Sequence, residues 1–141
     1  MAAGKHSSSE ITITLDDAGG TPRTITNYIL TMGALKITSN MQASHAFGDS
    51  WEESLPTGMQ KVDDIQLTGF FDDTATSGPH VVMNTPDSNP QGSSRTLAVV
   101  IGNSKTFTVE CWVMSYAVLG KNGNLTEFDT VLHATGQATW S

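Results

Sequence analysis

Apolar and polar positions alternate with a period of two along most of the chain, which is the signature of half-buried strands. Ile11, Ile13 and Leu15 alternate with threonines and predict a first strand, ended by the Gly- and Asp-rich turn Asp16 to Pro22. Thr24 to Met32 reads as a second strand, partly apolar on both faces and interrupted by Gly33. From Leu35 to Ala46 the pattern is milder. Thr38, Asn40, Gln42 and Ser44 make a polar face, while Met41, Ala43, His45 and Phe47 make the other, as in a long hairpin. Val62 to Phe71 is sharper: Ile65, Leu67, Gly69 and Phe71 alternate with Asp64, Gln66, Thr68 and Phe70. Gly69 inside that run signals a bulge or a close backbone approach. Thr96 to Ile101 is almost wholly apolar and predicts a buried strand.

The last third reads as a hairpin. Phe107, Val109, Cys111 and Val113 alternate with Thr108, Glu110, Trp112, Met114 and Tyr116. Asn122-Gly123 predicts a type I′ turn, and Leu125 to His133 returns, with a kink at Gly136 before Ala138 and Trp140. One short helix is expected, starting at Pro79, running through His80, Val82 and Met83 and stopping at Pro86. In the loop Phe47 to Gly58, Ser50 and Glu53 have capping-box spacing and predict a single helical turn.

These elements predict a mainly β, antiparallel sandwich or barrel with one short helix, built as a single domain over residues 1–141. Met1 to Ser9 is a polar arm expected to be flexible until docked. Large residues on both faces of several strands require a second cover, either a helix or a neighbouring subunit.

Composition narrows the function. A net charge of −7, with seven basic residues scattered from Lys5 to Lys121, argues against affinity for nucleic acid. Half of the fourteen acidic residues fall between Phe47 and Asp73: Asp49, Glu52, Glu53, Asp63, Asp64, Asp72 and Asp73. The single cysteine, Cys111, sits among apolar strand residues as a buried small hydrophobe, compatible with a reducing compartment. No apolar h-region begins the chain, so no signal peptide is expected, and no apolar run approaches the ~20 residues of a membrane helix.

Catalytic and metal chemistry find no pattern here, and no cofactor is expected. Neighbouring acids on a strand point to opposite faces, so Asp63-Asp64 does not converge, and Asp72-Asp73 reads as turn chemistry. His6, His45, His80 and His133 lie on separate elements. Metal-binding spacings, a nucleophile elbow and a phosphate loop are all missing. Trp51, Trp112 and Trp140 could form a sugar platform, but two of them sit inside strand patterns that favour packing.

Three stretches carry a family resemblance: Phe47-Gly48-Asp49-Ser50-Trp51, then Leu55-Pro56-Thr57-Gly58, then Leu67-Thr68-Gly69-Phe70-Phe71-Asp72-Asp73. A second block agrees: the strand through Val109 to Val118, the Lys121-Asn122-Gly123-Asn124 turn, and Leu125 to Trp140 with Ala134-Thr135-Gly136. In this, the chain resembles the tail tube (major tail) proteins of long-tailed bacteriophages. The resemblance implies a structural, non-enzymatic virion subunit assembled in the host cytoplasm. Six copies would form a ring whose strands share one β-barrel, and stacked rings would make a hollow conduit. The implied partners are further copies of itself, a tape-measure protein, tail terminator and distal tail proteins. Double-stranded DNA would pass through without specific binding, and no membrane is involved. On that reading the loops Phe47–Gly58 and Asp87–Ser94, with the N-terminal arm, supply contacts between copies, through Phe47, Trp51, Leu55, Asp87 and Asn89. The polar strand faces supply the lumen wall, through Asn40, Gln42, Asp63, Asp64 and Gln66. A β-sandwich binding or decoration module on a virion surface is the alternative.

Overall fold

The computed structural model describes residues 4–17, 19–83, 94–102 and 104–141. Nine strands and one helix follow in order: β1 (Ile11–Asp16), β2 (Pro22–Thr24), β3 (Ile29–Met32), β4 (Ile37–Ala43), β5 (Ser54–Val62), β6 (Ile65–Phe70), α1 (Pro79–Met83), β7 (Arg95–Ile101), β8 (Lys105–Leu119) and β9 (Glu127–Trp140). All ladders are antiparallel. Seven strands form one sheet in the order β2-β1-β7-β8-β9-β6-β3, and β4 with β5 forms a separate two-stranded ribbon.

The strand order dictates the shape. The sheet begins at β2 and ends at β3, yet only Ile25 to Tyr28 separate those strands in the chain. Laid flat, seven strands would put the outer two about 29 Å apart, at ~4.8 Å per spacing. Five extended peptide steps reach at most about 18 Å. The sheet therefore curls until its edges approach, although no ladder joins β2 to β3 and the barrel stays open. A 3₁₀ turn at Thr26–Tyr28 makes the crossing. It also satisfies the β1 edge: Ile25 N–H donates to the Ile13 carbonyl (3.0 Å), and Ile13 N–H donates to Thr26 Oγ1 (2.8 Å). This is why Thr24 to Met32 is not one strand, as its composition suggested.

Curling puts one face of the sheet inside. Leu15, Ile25, Ile65, Leu67, Leu97, Val99, Phe107, Phe128 and Leu132 are fully buried there, with Val82 and Met83 of α1 packed among them. The period-two runs of β6 and β8 appear as predicted, and α1 starts at Pro79, whose missing N–H costs nothing in a first turn.

Other expectations are revised. Met114 is an extra residue between Val113 and Ser115 in the β8–β9 register. That bulge switches the side-chain alternation, so Tyr116 turns to the core face instead of lying with Trp112. In the hairpin turn only Gly123 has positive φ (85°), so the turn is not type I′; it sits within a longer loop, between Leu119 and Glu127, the last register pair. The helical turn expected at Ser50 to Glu53 is absent. Ser54 to Val62 is strand instead, tolerating Pro56 and Gly58 because Thr57, Gly58 and Met59 bulge opposite Asn40, with Gly58 at φ 90°. The end of the N-terminal arm is folded: Ser7 and Glu10 form a capping box on the 3₁₀ turn Ser8–Glu10.

Gly69 performs the close approach foreseen for it. A Cβ at this position would lie 2.0 Å from the Tyr28 carbonyl oxygen, in the backbone that carries the crossing. Gly69→Ala should therefore force β6 away from β3 and lower unfolding free energy by about 3 kcal/mol, the upper range for overpacking. Urea unfolding of the soluble variant checks this; an unchanged midpoint would refute the contact.

Candidate assembly interface

Ladder lengths leave two strand edges open. β7 pairs with β8 only as far as Arg95 opposite Cys111, so Trp112 to Leu119 has β9 on one side and no described strand on the other. β6 pairs with β9 only as far as Ile65 opposite Leu132, so no ladder joins the other edge of His133 to Trp140, and the end of β5 lies beside that edge at Gly136 to Ala138. The open segments lie on opposite sides and at opposite ends of one hairpin. An open groove of about 310 Å³ runs beside the β9 segment, lined by Gly136 to Ala138 and, across from them, by Ile37, Gly58 and Gln60 to Val62.

The β4–β5 ribbon forms a projecting arm. Apart from Thr38 and Val62 its residues are exposed, and so is the loop joining its strands. Met41, Phe47, Trp51, Leu55 and Met59 are all uncovered, with Trp51 82% exposed. Large apolar side chains clustered on one projection mark a surface that another molecule covers. The loop itself is held in shape by Asp49, whose carboxylate accepts the Ala46 N–H (2.7 Å), and by Ser44 N–H donating to the Glu53 carbonyl (2.9 Å).

The outward face of the curled sheet mixes polar with apolar side chains, the latter including Ala98, Val100, Trp112 and Val131. By register it carries Thr12, Thr14, Thr96, Thr106, Thr108 and Thr135, with acids Asp64, Glu110 and Asp129 among them. No Lys or Arg occupies an outward position of β1, β6, β7, β8 or β9. Glu110 accepts hydrogen bonds from Ser94 Oγ and Thr96 Oγ1, each 2.7 Å. Gln66 Nε2 donates to Asp129 Oδ1 (2.9 Å), and Asp64 Oδ1 lies 2.7 Å from His133 Nδ1.

The residues singled out in the sequence are thus divided. Phe47, Trp51 and Leu55 come together on the arm, where Asn40 and Gln42 also stand exposed. Asp63 sits at the arm's root, 3.7 Å from Lys36 Nζ. Asp64 and Gln66 belong to the outward sheet face. Asp87 and Asn89 lie outside the described residues. Asp72 makes a local turn, accepting from Thr74 N–H and Thr74 Oγ1, and these bonds hold its carboxyl below the usual range. The four histidines have separate partners: Glu10, the Glu53 carbonyl, Tyr116 and Asp64. The three tryptophans occupy three surfaces: Trp51 the arm, Trp112 the outward face, and Trp140 edge-on against Phe107 at 5.0 Å.

Sequence reasoning missed Arg95. It is fully buried on the core side of β7, where Nη1 donates to the Val82 carbonyl at the end of α1 while Nε and Nη2 find no partner among the described residues. Burial pushes its guanidinium below its usual pKa, and the same effect drives the neighbouring Cys111 thiol up to about 12. A starting run of alternating residues, R-T-L-A-V, contains the signal: Arg95 shares parity with Leu97 and Val99.

Two outcomes follow for the separate protomer. Cys111 should resist a thiol reagent at pH 8 in the folded protein and react at once in denaturant; reaction at equal rates would show an accessible thiolate. Trp51→Ala should change monomer stability by no more than ~0.5 kcal/mol, as expected for an uncovered side chain. A larger loss in thermal or urea unfolding would make Trp51 part of the protomer's own core.

No protein-family model matches the chain, and no curated protein matches it in sequence. Solved structures do match in fold. A chain from the tail of an empty gene transfer agent particle, with C6 symmetry, superposes with a TM-score of 0.73 at 14% identity, covering 97% of this chain and 99% of that one. A chain of the native gene transfer agent virion gives 0.70 at 13% identity, with the same coverage. A chain of the sheath–tube complex of an extracellular contractile injection system gives 0.69 at 10%, covering 99% and 93%. The resemblance seen in the sequence is met by the backbone: this chain has the fold of subunits found in phage-tail-like particles.

Proposed function

We propose that the protein is the structural subunit of a phage tail tube, in which six copies close into a ring and rings stack into a hollow conduit for double-stranded DNA. The observation that carries this reading is the pair of staggered open edges on the β8–β9 hairpin. In neighbouring copies of the same orientation, Trp112–Leu119 of one meets His133–Trp140 of the next, antiparallel as β8 and β9 already are. The two segments are at different heights, so each step around the ring shifts along the strands. Such a shear is what tilted strands need to close a barrel. The contact is heterologous, and a rotation that closes makes a ring. The fold shared with a C6-symmetric tail supports six as the number of copies.

The same reading gives the other surfaces their roles. The arm, with Phe47, Trp51 and Leu55, joins ring to ring. Asn40, Gln42 and Asp63 belong to that arm and its root, and are assigned to contacts between copies. The outward sheet face lines the channel through Asp64, Gln66, Glu110 and Asp129. A conduit must not bind its cargo, and every Lys or Arg contact with a phosphate releases counterions and adds affinity. A wall without bases avoids that, and its acids repel the backbone over a Debye length of ~8 Å. The protein acts without catalysis or cofactor, in the virion tail, alongside a tape-measure protein, a terminator and distal tail proteins.

Concentrated protein, supplied with the partner proteins that nucleate tails, should form hollow six-fold tubes in electron micrographs; persistent monomers by light scattering would defeat the reading. Trp51→Ala should weaken assembly by about 2 kcal/mol per contact, the scale of an aromatic anchor. Asp64→Lys combined with Gln66→Lys should leave tubes intact but slow DNA passage and reduce infectivity. Ejection at the normal rate from such tubes would remove this face from the lumen.

A further inference from the structure

The open groove beside β9 shows which way the arm points. β5 enters β6 through Asp63 and Asp64 alone, and Gly58 to Val62 lie against Gly136 to Ala138, toward the Trp140 end of β9. Followed backward from Val62 to Ser54, the arm leads away from the tip of the β8–β9 hairpin. The arm loop 44–53 and the hairpin loop 120–126 therefore lie at opposite ends of the subunit, separated by most of the length of a strand that spans about 46 Å at ~3.3 Å per residue.

These two ends are complementary. The arm loop presents Phe47 and Trp51 with Asp49, Glu52 and Glu53, and has no Lys or Arg. The hairpin tip presents Val118, Leu119 and Leu125, the last 71% exposed, with Lys121 on the loop and Glu127, opposite Leu119, at its base. Apolar meets apolar and acid meets base, but only between different copies, since one subunit cannot bring its own ends together. We propose that the arm loop of each copy docks on the β8–β9 hairpin tip of a copy in the adjoining ring. The inference rests on the tube reading and assigns it the receiving surface. Because donor and receiver differ, the stack has a direction and leaves an arm unpaired at one end and a hairpin tip unpaired at the other.

Glu53→Cys with Leu125→Cys tests it, since the native Cys111 is buried and will not compete. Oxidised tubes should yield disulfide-linked ladders on a denaturing gel, and dilute monomers should not. Tubes that form but never cross-link would overturn this docking and leave the tube reading standing; wild-type protein that forms no tubes would remove both. A charge exchange gives an independent check. Lys121→Glu and Glu53→Lys should each reduce pelletable polymer tenfold or more while circular dichroism stays native, and the two together should restore it. Singles without effect, or a double variant no better than either, would count against the contact.

Discussion

Four residues hold this structure to its shape. Ile25 to Tyr28 must connect the two outermost strands of a seven-stranded sheet, and they are too short to do so unless the sheet rolls up. Everything else depends on that link. Rolling selects one face for the core and leaves the other to solvent, which is why buried and less buried positions alternate along β1, β6 and β7. It also explains the glycine at 69, because the crossing backbone at Tyr28 comes too close to β6 for any side chain. The open seam between β1 and β3, lined by Ile11, Ile29 and Met32, is what remains when a sheet curls without closing.

Much of this was legible in the sequence. Half-buried strands announce themselves by alternation, so β1, β6 and the first half of β8 fall where period two predicts them, β7 falls on its apolar run, and Pro79 starts the helix as its chemistry requires. What escaped was non-local. A bulge at Met114 reverses parity because of how β8 meets β9, and nothing within Met114 itself signals it. Pro56 and Gly58 look like strand breakers, but in a ribbon with free edges a bulge accommodates both. Phe47, Trp51 and Leu55 were recognisable as a group only through the family resemblance; their exposure became visible once the arm was seen to stand off the sheet. The open edges could not be read at all, since they are defined by where two other ladders stop.

Arg95 shows how the core accommodates a charge. A buried guanidinium with two nitrogens lacking partners among the described residues carries a desolvation cost of the order of 1–3 kcal/mol or more. Its bond to the Val82 carbonyl ties the end of α1 to β7 and offsets part of that cost. The helix has only five residues and would not persist alone, so this tie, the bonds of His80 to Tyr116 and to the Asp72 carbonyl, and the burial of Val82 and Met83 together keep it in place.

The two edges without ladders also leave the chain a liability that most β proteins avoid. Soluble β proteins ordinarily guard such edges with lysine, proline or inward charges. Trp112 to Leu119 holds none of these, and His133 to Trp140 holds nothing charged but a histidine. An unguarded edge accepts any extended chain that reaches it, including a partly folded copy still leaving the ribosome. The overall charge of −7 slows such encounters without forbidding them. If copies join edge to edge as proposed, assembly depends on timing, because the correct edge must arrive before a wrong one.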